Sequence, residues 1–436
     1  MTLQRTSAEA ALAADYAARR PVLFGATKMR DDAMARFLEA GLPNRRVEEW
    51  HYTDLRARMN EAAPLRSADA AAIGAARERL TSLELGEAIV VVMLDGEFNL
   101  GLSSIGARPQ GVEIGSLATA LLDPANADLI APPGLGEADS IVSLNAAFVQ
   151  GGAFIRIPAN MRVERPIALV NLLSGGPRHA AYTRSFIELG VGASATVWEI
   201  SENSGGETQA NDALVIKLGD LAECDHIAQV HHRGEKSIAV HTLLATMGRS
   251  ARFDSFALVK DTGFVRRQMF ARLEREESHI GLRGLSLLRG EEHADTTLVI
   301  DHAAGHCESR EFYRTILDGS ATGVFQGKVC VRQGAQKTDG GMKSQALMLS
   351  DDATMYNKPE LEIFADDVVC GHGATVGQLD DNQIFYLQSR GLSRAEAQSM
   401  LLQAFAQEAL DHIADETLRE RFASEAHAWL SMRSKA

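Results

Sequence analysis

Between about Ser140 and about Tyr386 the chain runs in short stretches of β-branched and aromatic residues, each broken by Gly, Asp or small polar residues. That pattern predicts many strands closed by turns. A loose unit recurs within it: Leu189-Gly-Val-Gly-Ala-Ser-Ala-Thr-Val197, Leu218-Gly-Asp-Leu-Ala-Glu-Cys-Asp-His-Ile227, Met247-Gly-Arg-Ser-Ala-Arg-Phe253, Leu273-Glu-Arg-Glu-Glu-Ser-His-Ile280 and Leu317-Asp-Gly-Ser-Ala-Thr-Gly-Val-Phe325. Most copies lie about 26 to 29 residues apart, and a longer final step leaves room for a weaker copy at Leu288. Repeats of this length predict a mainly β protein, a parallel β-solenoid whose coils stack their inward apolar positions. A β-sandwich shares the turn spacing and stays open at this point.

Both flanks read as helix. Ala and Leu fall at helical spacing in the first residues, followed by Met34, Phe37 and Leu38 before a Gly41-Leu-Pro43 stop. A second helix is expected over 68–80, then a buried strand over 88–94 ended by Asp95-Gly96. Near the C-terminus Ser393-Arg-Ala-Glu396 has capping-box spacing, and Ala397, Met400, Leu401, Ala404 and Phe405 form one apolar stripe behind it. The stripe is read as closing the open end of the solenoid, with docking of a partner as the alternative. The expected organisation is an N-terminal mostly helical region over 1–135, the solenoid over 136–386 and a C-terminal helical region over 387–436.

A chain of 436 residues buries a large core and divides into two or three domains. Its formal net charge of −14 argues against a nucleic-acid or anionic-membrane surface. Cys224, Cys307, Cys330 and Cys370 show no Cys-x-x-Cys spacing, which reads as a reducing compartment and argues against a self-contained cluster or zinc finger. The run from Ala8 to Arg20 is interrupted by Glu9 and Asp15, so it is no signal-peptide core, and no apolar run of about 18 residues appears. The expected location is the cytosol.

The sharpest chemical candidate is Cys370-Gly-His372 between glycines. On a strand, residues two apart share a face, so thiolate and imidazole could hold one soft metal together. They supply two of the four ligands such an ion usually takes, and the rest must come from elsewhere, such as another chain. A buried structural pair is the competing reading. Asp366, Asp367, Asp380 and Asp381 are either supporting carboxylates or solvated turn residues. In the run with His293, Asp295, His302, His306 and Cys307, His293 and Asp295 could share a strand face, and His302 with His306 would suit zinc if helical; the surroundings read β, so the group is taken as lining or ladder residues of the solenoid. The group His226, His231, His232 and His241 is treated with the same caution. Trp50, His51 and Tyr52 are read as an aromatic knot packing a helix onto the next domain rather than a ligand platform. Gly323-Val-Phe-Gln-Gly327-Lys328 fails as a phosphate loop and Gly371-His-Gly373 fails as a dinucleotide fingerprint, so no ATP site is expected.

His293-x-Asp295, His302, Gly327-Lys328, Lys337-Thr-Asp339, Lys358-Pro-Glu-Leu-Glu-Ile363, Asp366-Asp-Val368, Cys370-x-His-Gly-Ala-Thr-Val-Gly377, Leu379-Asp380, Phe385-Tyr-Leu387 and Arg390-Gly391 together resemble the SufB/SufD family of the SUF iron–sulfur cluster assembly machine. The Cys370-x-His372 pattern and the Lys-Pro-Glu-Leu-Glu stretch look like its SufD side. The resemblance implies a right-handed parallel β-helix between helical regions. It implies a non-catalytic scaffold that pairs with SufB through the β-helix and binds the ATPase SufC through its C-terminal helices, at Ser393, Met400, Leu401 and Phe405. It further implies that Cys370 and His372 hold a transient iron–sulfur cluster shared with SufB. Flavin use and homodimerisation of the isolated chain are left open. A solenoid polysaccharide lyase or hydrolase, and a purely structural homodimer, are the competing functions.

Overall fold

Strands adjacent in sequence belong to different sheets. In the computed structural model, which describes residues 5–130 and 134–433, each strand from Ala153–Ile157 to Asp339–Met348 pairs in parallel with the strand two places on. One sheet gathers ten strands and the other nine, so each coil of the chain contributes one strand to each. This is the expected parallel solenoid with helices at both ends; the antiparallel sandwich is set aside.

Ladder register explains the repeat and corrects its reading. Leu189, Leu218, Met247, Leu273, His302, Val331 and Ile363 stand in one row of the nine-stranded sheet. Leu288 and Leu317 pair with each other on the ten-stranded sheet. The sequence series therefore changed sheets after Leu273. Leu288 and Leu317, like Leu189 and Leu218 in the other sheet, end strands before a glycine-bearing turn, so one signature served two rows. The turns stack closely: Gly319 sits at φ +66°, and a Cβ there would lie 2.9 Å from the Gly290 nitrogen of the preceding coil.

Three apolar faces follow from strand alternation. The lumen holds Ile155, Ile187, Leu214, Leu243, Met269 and Leu298 among its core residues. The outer face of the nine-stranded sheet is covered by the helices Ser7–Arg19, Thr27–Ala40 and Ser140–Phe148. The last of these lies in a stretch the pattern assigned to strands. Asp139 caps it by accepting from the amides of Ile141 and Val142, and all nine residues are buried, so it shows no polar face.

The outer face of the ten-stranded sheet is covered by the helices Ala70–Ser82, Arg394–Leu410 and Glu416–Arg433. Phe422 meets Phe256 edge-on at 6.0 Å, and Arg421 lies over Trp198 at 4.8 Å. The C-terminal helices thus lie along the side of the solenoid and do not close its end. The expected capping stripe is corrected with them: Ala397, Leu402, Ala406, Ala409 and Leu410 are buried, whereas Met400 is 54% exposed. The strand Ile89–Leu94 joins the ten-stranded sheet, and the helix Asp381–Ser389 straddles the solenoid limit drawn at 386. Among the described residues no helix is long and apolar enough to cross a membrane.

Candidate functional site

The two ends of the solenoid are treated differently by the chain. At the N-terminal end short antiparallel strands, Glu97–Phe98 and Glu113–Ser116, close both sheets, a common way of blunting an edge. At the C-terminal end the sheets stop at Thr354–Ile363 and Val369–Gly377, each paired on one side only. Val369 is 73% exposed and Phe364 59%, and Tyr356, Ile363 and Val376 are exposed beside them. An open pair of strand edges with exposed apolar residues is a template for another chain.

Cys370 and His372 lie on this edge. Cys370 stands opposite Gly340 and His372 opposite Met342. Met342 belongs to the lumen core, so Cys370 and His372 continue the lumen-facing row to the mouth of the solenoid. The expected shared face is what the register gives. Cys370 is half-buried against the core, with its Sγ 3.4 Å from where a Gly340 Cβ would stand; His372 is exposed. Gly371 and Gly373 face open space. Burial pushes the Cys370 thiol up, with Asp339 and Glu311 adding to the effect, and the Gly340 amide and Arg310 only partly offset it. The thiolate that the sequence offers as a ligand is therefore not the resting form: in the free chain Cys370 is a thiol. A metal or a partner's positive charge would have to favour its ionised form. Among the described residues these two side chains enter no cluster of three metal-ligand groups, so the pair is incomplete by itself.

Directly behind the mouth, Ser309, Glu311 and Tyr313 stand opposite Gly340, Met342 and Ser344. No motif or spacing singles out Glu311. It is 2% exposed, neither carboxyl oxygen has a hydrogen-bond partner, and burial raises its pKa to about 8. Only the alternation of the strand could have signalled it, by placing an acid at an inward position. A carboxyl with a raised folded pKa gives stability that is complete below its unfolded value near 4.5 and lost as pH rises through about 8. Glu311→Gln is therefore expected to flatten the fall in denaturation midpoint across that window, by up to about 1.4 kcal/mol per pH unit. Glu292 and Asp212, both raised to about 7 by burial, leave a residual slope. An unchanged profile in urea melts from pH 5 to 8 would show that Glu311 ionises freely.

The other candidates disperse into structural roles. Trp50 is buried, with Arg266 over its ring at 3.7 Å and Asp139 accepting from its Nε1 at 3.0 Å, as expected of a packing knot. His293 and Asp295 serve that same junction through Thr53. His302 faces the lumen and stays neutral through burial. Cys307 is buried in the core. Asp367 pairs with Lys337, Asp381 with Arg394 at 3.0 Å, and Asp380 caps the helix Asp381–Ser389.

Of the expected docking residues, Ser393 caps the helix Arg394–Leu410 in the anticipated capping box, and Met400 is exposed. Leu401 and Phe405 are half-buried; Phe405 lies under the Arg314 guanidinium at 4.2 Å, and Arg314 also pairs with Glu408. Phe385 and Tyr386, which the stripe did not include, are 73% and 57% exposed on the preceding helix.

Two family models match the chain: the SufBD protein N-terminal region over residues 22–169, and the SUF system FeS cluster assembly, SufBD core domain, over residues 172–405. The iron–sulfur cluster assembly protein SufD of Escherichia coli (strain K12) is 30% identical over 393 residues, covering 89% of each chain. A SufBD family protein of Synechocystis is 30% identical over 400 residues, covering 87% of this chain and 86% of that one. SufD of Bacillus subtilis (strain 168) is 26% identical over 286 residues, covering 65% of each.

Proposed function

We propose that this chain, which belongs to the SufBD family of SUF-system iron–sulfur cluster assembly proteins, is a non-catalytic cytoplasmic scaffold subunit that completes a nascent cluster site with a second chain. One observation carries the reading: an incomplete Cys370–His372 ligand pair sits on an open strand edge at the mouth of the solenoid. The partner is a SufB-type subunit laid against the edges Thr354–Ile363 and Val369–Gly377. Strand-edge pairing would supply main-chain hydrogen bonds, and the exposed apolar residues would supply burial. The cluster is transient cargo, held by His372, by Cys370 once ionised, and by partner ligands.

A SufC-type ATPase docks on the C-terminal helices, where Phe385, Tyr386 and Met400 are exposed and Ser393 lies at the helix start. ATP chemistry then belongs to that subunit. Phe385→Asp combined with Met400→Asp is expected to lower SufC co-purification at least about tenfold, the scale of losing central apolar anchors, while SufB stays bound. Equal SufC recovery would remove this docking site.

The test of the scaffold reading is anaerobic co-expression with SufB and SufC from the same source, reading subunit stoichiometry and bound iron. A mixed complex carrying iron is expected. A lone homo-oligomer without iron in the presence of both partners would refute it.

A further inference from the structure

The lumen contains a second group of metal-binding side chains, far more buried than the mouth and assigned no role above. Asp212 and His241 stand opposite each other on neighbouring strands of the nine-stranded sheet, and His232 follows the strand Glu223–His231 of the ten-stranded sheet. Each offers one ligand atom, and these atoms lie within 4.8 Å of one another. His241 Nδ1 is 3.4 Å from Asp212 Oδ2, close to the ~3.3 Å that separates two ligands bonded at about 2.0–2.1 Å to one tetrahedral ion.

All three side chains are more than nine-tenths buried, and their hydrogen bonding is unfinished. Among the described residues Asp212 Oδ1, His232 Nδ1 and both ring nitrogens of His241 make no hydrogen bond, the 3.4 Å approach of His241 Nδ1 to Asp212 Oδ2 falling short of one. Buried polar atoms are nearly always paired, so four orphan atoms in one spot call for a ligand. Ser201 arranges the group. Its Oγ lies 3.1 Å from Asp212 Oδ2 and 3.0 Å from His232 Nε2. With Ser201 donating to the carboxylate and accepting from His232 Nε2–H, the lone pair of His232 stays on Nδ1. A hydroxyl that fixes the tautomer of a ligating imidazole is the support such sites usually carry. Arg267, opposite His241, adds a positive charge beside the group, and Glu199 adds a negative one. Glu202 and His231, adjacent in sequence to Ser201 and His232, line a surface cleft of ≈ 300 Å³ on the other side of the strands.

We propose that Asp212, His232 and His241 form a binding site for one borderline divalent cation, zinc(II) or iron(II), inside the solenoid lumen. Two imidazoles and one carboxylate suit these ions better than magnesium or calcium, which prefer all-oxygen shells. The site is separate from the Cys370–His372 pair and does not rest on the interface reading.

The test uses the untagged full chain, stripped with a chelator and titrated anaerobically with zinc(II) alone and with iron(II) alone. The background carries Cys370→Ala and His372→Ala, so that the mouth contributes nothing. One equivalent of at least one of the two ions is expected. X-ray absorption of the loaded protein should show nitrogen and oxygen neighbours at about 2.0–2.1 Å and no sulfur. Asp212→Asn and His241→Gln, each checked for native circular dichroism, are expected to weaken binding by at least about tenfold. No bound ion at micromolar concentration, a sulfur neighbour, or unweakened binding in folded variants would overturn the proposal. The absorption spectrum decides the matter even if a variant misfolds.

Discussion

Replacing His372 by alanine is expected to leave the fold and the proposed mixed complex intact while lowering its retained iron at least about tenfold, since even the loss of a residue that only supports a metal ligand costs about 10–100-fold. His372 is exposed on a strand edge, opposite Met342. Its loss costs little stability in the free chain. Its value lies in an imidazole beside an open edge, where partner ligands can reach the same ion. Cys370→Ala should behave differently. Cys370 packs against the lumen core, and its burial disfavours the thiolate, so substitution removes a ligand and a small apolar contact together. Iron measured on purified complexes, with subunit ratios as control, separates the two effects. Iron that tracks complex yield in both variants would remove the site.

The largest stability effect is expected at Arg266, remote from that edge. Its guanidinium is buried, pairs with Asp295 at 2.6 Å, donates to the Glu49 carbonyl at 2.9 Å and lies on the Trp50 ring. It joins the N-terminal segment to the outer face of the nine-stranded sheet. Arg266→Met would leave Asp295 as a buried carboxylate that keeps only its bonds from Thr53 and Thr297. Breaking one partner of a buried pair costs about 3–5 kcal/mol, more than the attraction itself contributes, because the remaining charge stays desolvated. The denaturation midpoint should fall accordingly, with earlier protease cleavage near Trp50. Adding Asp295→Leu should recover part of the loss, since the orphaned charge goes with it. A loss below about 1 kcal/mol in the single variant would show that the pair is solvated.

Much of this was legible in the chain. Alternating apolar runs closed by Gly and Asp turns announced the solenoid, and the Cys370-x-His372 spacing announced one shared face. What stayed hidden is physical. The helix Arg394–Leu410 carries adjacent Leu401 and Leu402, so its apolar residues support two overlapping stripes. Packing on the sheet buries the one through Leu402 and Ala406, leaves Phe405 partly buried under Arg314, and periodicity alone could not choose between them. The repeat crossed from one sheet to the other after Leu273 because both sheets end strands alike. Glu311 and Asp212 were invisible because charged residues are normally solvated, and only register shows that both face the lumen side of their strands. The four histidines between 226 and 241 offered ligands without geometry; the fold brings His232 and His241 to Asp212 and sends His226 to Glu199 and Ser255.

Amide hydrogen exchange over residues 354–377, in the free chain and in complex with the proposed SufB-type partner, tests the central claim most directly. The free outer edges predict rapid exchange at the outward-facing amides of Val369–Gly377 in the isolated chain and strong slowing on complex formation. A complex that forms while those amides exchange unchanged would place the interface elsewhere and leave Cys370 and His372 without a second chain.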